Sequence, residues 1–257
     1  MMKKTDVIYY LLVLITGLMV SGCGGGSSGA TSTAAISHFQ ARQDIHAFDF
    51  VYGGSDYAVV DIIASGGEND EHGLSQGHLL YGTSERSQHL YQFDQRHEQN
   101  LTISLRDRNT RLILQDTQIA LRSDTPYWVF AFGNTLTDRY SLYAVERPST
   151  VRANNNVPLF VIDASSPNSR LRSDVYLNGH AIIEGLSSQT LSPPLSLPSD
   201  VASFSIELRS TDETSQRCID IEPNHQDKEH QMQWNDSAWI LVFTPDNHCY
   251  LQPVFWE

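Results

Sequence analysis

The residues able to carry chemistry in this 257-residue chain fall into two acidic, histidine-bearing stretches, three cysteines and a scatter of serines and aspartates. Glu68, Asp70, Glu71 and His72 lie between Gly66 and Gly73, and His225, Asp227, Glu229 and His230 follow Pro223. A calcium loop gathers its carboxylates through an Asp-x-Asp-x-Asp-Gly spacing, which the first stretch lacks. In the second, His225 and His230 are five apart, so they share no face of a helix and fall on opposite faces of a strand. Both stretches read as solvated loop charge, and the chain is assigned no metal ligand and no cofactor. Serines are abundant, but no Gly-x-Ser-x-Gly elbow is read among them. No residue order marks a triad either, so no catalytic residue is assigned. Facing carboxylates of the glycosidase kind stay open, because any two acids could meet in space.

The start of the chain supplies an address. Lys3 and Lys4 precede an apolar run from Val7 to Val20 that is followed by Ser21-Gly22-Cys23, the pattern of a secretory signal peptide. About 14 apolar residues fall short of the roughly 20 that cross a bilayer, so the run is a signal and not a membrane anchor. Residues 20–23 resemble the lipobox of bacterial lipoproteins, with Val20 where Leu is usual. That resemblance implies cleavage after residue 22, acylation of Cys23 and membrane attachment through the N-terminal lipid. Gly24 stands where inner-membrane retention would call for Asp, which implies an outer-membrane lipoprotein of the cell envelope. With Cys23 claimed by lipid, Cys218 and Cys249 remain as a pair in an oxidising compartment, and a disulfide is expected. A metal or catalytic thiol is the competing reading, but there is no Cys-x-x-Cys. The formal net charge of −13 argues against nucleic acid as a partner.

These features must be positioned by β-structure. Residues 24–35 are small and uncharged, a flexible tether after the signal of residues 1–22. From Ile36 onward short apolar or alternating runs, among them His78 to Tyr81, Arg111 to Leu121 and Gln189 to Leu191, are punctuated by Gly, Asn, Asp and Pro and read as strands. Leu101, Ile103 and Leu105 alternate with Thr102, Ser104 and Arg106 as a half-buried strand should, and Asn178-Gly179 is a strong hairpin signal. Arg147 to Asn156 reads as a domain boundary, dividing residues 36–148 from 149–257. The halves look alike: Asp49-Phe50-Val51-Tyr52-Gly53 is matched with the Asp174 to Gly179 segment, Leu101 to Leu105 with Phe204 to Leu208, and the aromatic run Tyr127 to Gly133 with Ala238 to Thr244. In the aromatic run, Trp128 and Phe130 share one face while Tyr127 and Val129 take the other, and one of the two sets is expected in the core.

The segment Phe160-Val161-Ile162-Asp163-Ala164-Ser165-Ser166-Pro167 through Asn178-Gly179 resembles the opening of a bacterial extracytoplasmic domain, the domain-of-unknown-function family 4397. The first half is similar through Tyr81 to Ser84, Asn100 to Leu105 and Ser123 to Val129. The resemblance implies two tandem immunoglobulin-like or transthyretin-like β-sandwiches and carries no catalytic residues. The expectation is therefore an all-β, non-enzymatic envelope lipoprotein that presents loops or an edge strand to a protein or glycan partner. A hydrolase of envelope polysaccharide or peptide is the alternative. If the lipobox is used, Cys23→Ser abolishes fatty-acid labelling and releases the protein from membranes, as metabolic labelling and fractionation will show.

Overall fold

The computed structural model describes residues 39–54, 57–66, 70–75, 82–94, 96–149, 155–164, 171–210, 215–222, 234, 237–244 and 248–255. They belong to one compact unit, Ser37–Glu257. The first eight strands are β1 (Phe39–Tyr52), β2 (Val60–Gly66), β3 (Asp70–Ser75), β4 (Thr83–Phe93), β5 (Glu98–Asp107), β6 (Ile113–Arg122), β7 (Tyr127–Asn134) and β8 (Arg139–Glu146). The second eight are β9 (Asn156–Asp163), β10 (Arg172–Leu177), β11 (His180–Ser187), β12 (Leu195–Pro198), β13 (Phe204–Ser210), β14 (Ser215–Ile221), β15 (Ser237–Phe243) and β16 (Cys249–Phe255). Four sheets result, ordered β4-β1-β7-β8, β3-β2-β5-β6, β12-β9-β15-β16 and β11-β10-β13-β14. Adding eight to each label of the first pair of sheets gives the second pair. The parallel pairing of β1 with β7 likewise recurs between β9 and β15. The protein is thus all-β, with one sandwich topology used twice.

This fixes how the halves correspond. β5 matches β13 and β7 matches β15, as the sequence suggested. The match of the Asp49 segment to the Asp174 segment is corrected, because β1 corresponds to β9 and β10 to β2. Both segments end an apolar strand on a tight turn, and turn chemistry alone does not say which strand precedes it.

Each sandwich encloses its own core, and a third core joins them. Ile45, Ala47, Val51, Val129 and Ala131 face Ile62, Ile103 and Leu105 inside the first. Leu159, Val161, Trp239, Leu241 and Phe243 face Val175, Ile206 and Leu208 inside the second. Their odd–even neighbours Phe48, Phe50, Trp128, Phe130 and Phe132 pack against Phe160, Ile162, Ile240 and Val242 from the other half. The β4-β1-β7-β8 and β12-β9-β15-β16 sheets are therefore inner sheets, whose central strands are buried on both faces, and the other two are outer sheets. Parallel pairing occurs where both faces are covered, and such strands read as near-continuous apolar runs. Neither face of Tyr127 to Phe132 is exposed; the expectation that one set lies outside the core gives way to two cores sharing a strand. Ring stacking pins the seam, with Phe48 4.7 Å from Phe130 and Trp128 edge-on to Phe160 at 5.5 Å.

Gly82 completes this junction. Its φ is 78°, and a Cβ there would lie 2.8 Å from the Tyr250 ring. Its carbonyl accepts a hydrogen bond from Gln252 Nε2 at 2.5 Å. Only glycine combines that backbone conformation with so close a ring.

Two further differences from the sequence reading lie at sheet edges. The stretch between Gly66 and Gly73, expected as loop, contributes to edge strand β3, which pairs with β2 from Gly66 with Asp70 to Ile62 with Ser75. Gln189 to Leu191, expected as strand, contributes one bridge, Ile162 to Leu191, while Leu195–Pro198 forms β12. The expected strand His78 to Tyr81 lies outside the described residues. The hairpin at Asn178-Gly179 forms, with φ of 49° and 81° as its turn type requires.

Cys218 and Cys249 are joined, with Cα atoms 6.3 Å apart, tying edge strand β14 of the outer sheet to edge strand β16 of the inner. In the first sandwich the matching edges β6 and β8 carry an exposed Arg122–Glu146 pair at 3.3 Å, worth at most about 1 kcal/mol. The disulfide contributes up to about 3.7 kcal/mol by loop-closure entropy. A Cys218→Ala/Cys249→Ala variant will lose up to that amount in denaturant unfolding, with the first sandwich retaining its signals longer than the second.

Candidate functional site

The residues singled out in the sequence do not converge. Cys23, Glu68 and the His225 to His230 stretch lie outside the described residues. Glu71 on β3 pairs with Arg106 of β5 at 2.6 Å. His72 stacks on His89 of β4, ring centroids 4.7 Å apart, bridging the edges of two facing sheets. Among the described residues no group of three His, Cys, Asp or Glu side chains is placed to hold a metal ion. Gly73-Leu74-Ser75-Gln76-Gly77 spells Gly-x-Ser-x-Gly, but Ser75 is a buried residue of strand β3, not the exposed tip of an elbow.

Two buried titratable groups were not foreseen. His46 sits on β1 at the rim of the aromatic seam, stacked on Phe48 at 4.3 Å with Nε2 3.0 Å from Ser84 Oγ. Burial, reinforced by the Arg86 and Arg147 guanidiniums, lowers its pKa to about 3. Asp49 lies three residues further on and faces into the first sandwich. Its Oδ1 accepts the Val51 N–H at 3.0 Å, while Oδ2 is buried without a hydrogen-bond partner. Burial pushes its carboxyl up to about 7, against the pull of the Val51 bond and Arg108. Asp163 on the matching strand β9 is buried too, but Ser173 of β10 donates to its Oδ2 at 2.5 Å. β2 opens its inward face with Val60, which has no hydroxyl to offer.

The most distinctive surface is the end of the first sandwich where the β1–β2, β5–β6 and β7–β8 connections meet. Arg108 N–H donates to the Val59 carbonyl at 3.1 Å, and Thr135 N–H to the Tyr52 carbonyl at 2.9 Å, so the three connections are stitched together. The β5–β6 turn is held by Asp107, whose Oδ1 accepts from Asn109 N–H, Thr110 N–H and Thr110 Oγ1 at 2.6 to 2.9 Å. These bonds keep the Asp107 carboxylate below the usual range. The β7–β8 turn is held by Asn134 Oδ1, 2.8 Å from Leu136 N–H. Asp61 on β2 anchors the whole, accepting from Arg108 Nε and Arg111 Nη1 at 2.9 Å each, with Arg106 at 3.6 Å.

On this tied frame stand Leu136, 71 % exposed, Leu112 at 65 %, Tyr57 at 63 % and Ile113 at 50 %. The other large apolar side chains exposed among the described residues, Leu90, Ile182 and Ile219, lie on separate strands. Exposed apolar side chains gathered at one end of a sandwich make that end a candidate interaction surface. The sequence reading missed it by running a strand through Arg111 to Leu121. The available signal was an apolar residue inside turn chemistry: Leu112 after Asp107-Arg108-Asn109-Thr110, and Leu136 between Asn134-Thr135 and Thr137-Asp138.

No family model matches the chain, and no curated protein matches it. A crystal structure of CBMbc, of family CBM26, from Eubacterium rectale Amy13K in complex with maltoheptaose, is similar over 84 % of this chain and 99 % of that one. The two are 12 % identical with a TM-score of 0.24, a likeness too slight to decide ligand or mechanism.

The buried imidazole sets a pH dependence. Because the folded pKa of His46 lies below its unfolded value near 6.5, its contribution is complete above that pH and is lost as pH falls toward about 3. Asp49 acts with the opposite sign, so the comparison must be between variants. The melting temperature of His46→Gln minus that of the parent will rise as pH is lowered from 7 to 4; a difference independent of pH would contradict the burial of a neutral ring.

Proposed function

We propose that this chain is a non-enzymatic cell-envelope lipoprotein, anchored through an acylated Cys23, that holds a protein or glycan partner on the loop end of its first sandwich. The observation that carries the reading is the exposed set Tyr57, Leu112, Ile113 and Leu136 on mutually bonded turns. The placement of the chain supports it. The tether runs into Phe39, the first residue of β1, and the loop end lies past Tyr52, the last. At about 3.3 Å per residue the 14 residues of β1 separate the two by roughly 45 Å. The apolar tips thus lie at the end of β1 opposite Phe39, where the chain enters the fold.

The junction between the sandwiches favours a binding module over a hydrolase. A cleft enzyme of the glycosidase type needs two carboxylates facing a substrate. Here the described junction is filled by Phe48, Phe130, Phe160 and Ile240, with Tyr250 and Val254 beside them. The resemblance of residues 160–179 to the domain-of-unknown-function family 4397 belongs to the same reading, as does an outer-membrane location.

The experiment compares retention of an envelope partner by the parent and by Leu112→Ser/Ile113→Ser/Leu136→Ser. Loss of at least tenfold in affinity, with an unchanged melting temperature, is the expected result. A control, Ile182→Ser/Ile219→Ser on the second sandwich, will bind as the parent does. Equal loss in both variants would overturn the assignment of the site.

A further inference from the structure

Two of the apolar tips, Leu112 and Ile113, follow directly on an arginine that the fold itself does not call for. Arg111 closes the β5–β6 turn with φ of 64°, the left-handed region that glycine enters freely and a residue with a Cβ does not. Its N–H donates to the Asp107 carbonyl at 2.9 Å, so the turn requires this conformation. Its guanidinium reaches Asp61 at 2.9 Å, but that carboxylate already accepts Arg108 Nε at 2.9 Å and has Arg106 at 3.6 Å. Asp61 is held without Arg111, and an ion pair whose cation is so open to solvent adds little. The turn favours glycine, and the anchor does not need a third cation.

The charges of the loop end leave Arg111 in surplus. Arg106 pairs with Glu71 at 2.6 Å and Arg108 with Asp61. The Asp107 carboxylate is taken by three donors of its own turn. On the β7–β8 turn Asp138 is followed by Arg139. Asp56, in the β1–β2 connection, lies outside the described residues. The Asp61 side chain is sunk to 8 % exposure while that of Arg111 stands out at 65 %, in a chain whose formal net charge is −13.

We infer that the loop end takes an acidic segment of a partner protein, whose carboxylate pairs with Arg111 while its apolar side chains cover Leu112, Ile113 and Leu136. This rests on the loop end being the binding surface, and it names the partner's chemistry. Interface centres are enriched in arginine, whose planar fork binds a carboxylate through two parallel hydrogen bonds. A protein segment fits better than an acidic glycan because Leu112, Ile113 and Leu136 are aliphatic. They suit apolar side chains and offer a sugar no ring to stack on.

The test is binding of two labelled peptides, fluorescein-Leu-Asp-Leu-Asp-Leu-amide and its Asn counterpart, to the full chain in phosphatidylcholine nanodiscs, read by fluorescence anisotropy against empty discs. The Asp peptide is expected to bind the parent roughly fivefold or more tighter than the Asn peptide, a preference that shrinks as salt is raised. Arg111→Gly is expected to bring the two peptides within about twofold while the melting temperature stays within about 2 °C of the parent's, since glycine takes up the left-handed turn and Arg108 stays on Asp61. Should that variant fold poorly, Arg111→Gln and Arg111→Lys carry the comparison: the first loses the preference and the second keeps it. Equal binding of both peptides to the parent would overturn the proposal, as would a preference that survives Arg111→Gln. So would displacement of the Asp peptide by trigalacturonate, which carries carboxylates without apolar side chains. Leu112→Ser/Ile113→Ser/Leu136→Ser weakens both peptides alike if the tips are the binding surface; peptides indifferent to that variant would remove the reading on which this one rests.

Discussion

Everything in this molecule depends on the central strands of two sheets having no wet side. The strands β1, β7, β9 and β15 place one row of side chains in a sandwich and the alternate row in the aromatic seam between sandwiches. A sheet so placed gains burial on both faces, about 25 cal/mol for each Å² of apolar surface removed from water. It also loses freedom of register, since slipping by one residue would exchange the two rows and drive Phe48 and Phe130 into spaces shaped for Ala47 and Val129. The parallel pairings and the close approach of Tyr250 to Gly82 are consequences of that fixed register.

The same constraint explains how much could be read in advance. Half-buried strands such as β5 announce themselves by alternation, because one face meets a core and the other meets water. The pairing of Cys218 with Cys249 followed from counting once Cys23 was set aside. Trp128 and Phe130 could not be assigned to a face, because their covering residues, Phe160 and Ile240, come from a strand in the other half of the chain. Strand β3 was hidden in an acidic stretch because an edge strand needs only backbone pairing on one side, and Glu71 finds its cation on β5. The loop tips were hidden for the opposite reason. Leu112 and Ile113 have the composition of a strand, and only the turn bonded to Asp107 shows that they stand out from it.

The duplication lets one half act as a reference for the other. Both sandwiches hide an aspartate on the strand that links core to seam, yet only Asp163 receives a side-chain hydroxyl. Both close an outer edge, one with a covalent bridge and one with an exposed ion pair. The second copy is thereby covalently closed and its buried aspartate is satisfied, while in the first Asp49 Oδ2 is buried without a hydrogen-bond partner.

Strand β1 has one more consequence, a mechanical one. It pairs with β4 from Phe39 to Asp49 and with β7 from Ile45 to Tyr52, so nearly its whole length is hydrogen-bonded and its central portion is bonded on both flanks. A load applied between Phe39 and the far turns runs along the strand, perpendicular to those bonds. Such a pull shears the ladder and must break many bonds at once, where a pull from the side would peel them singly. A load along that axis therefore strains the molecule in the direction in which this sheet yields last.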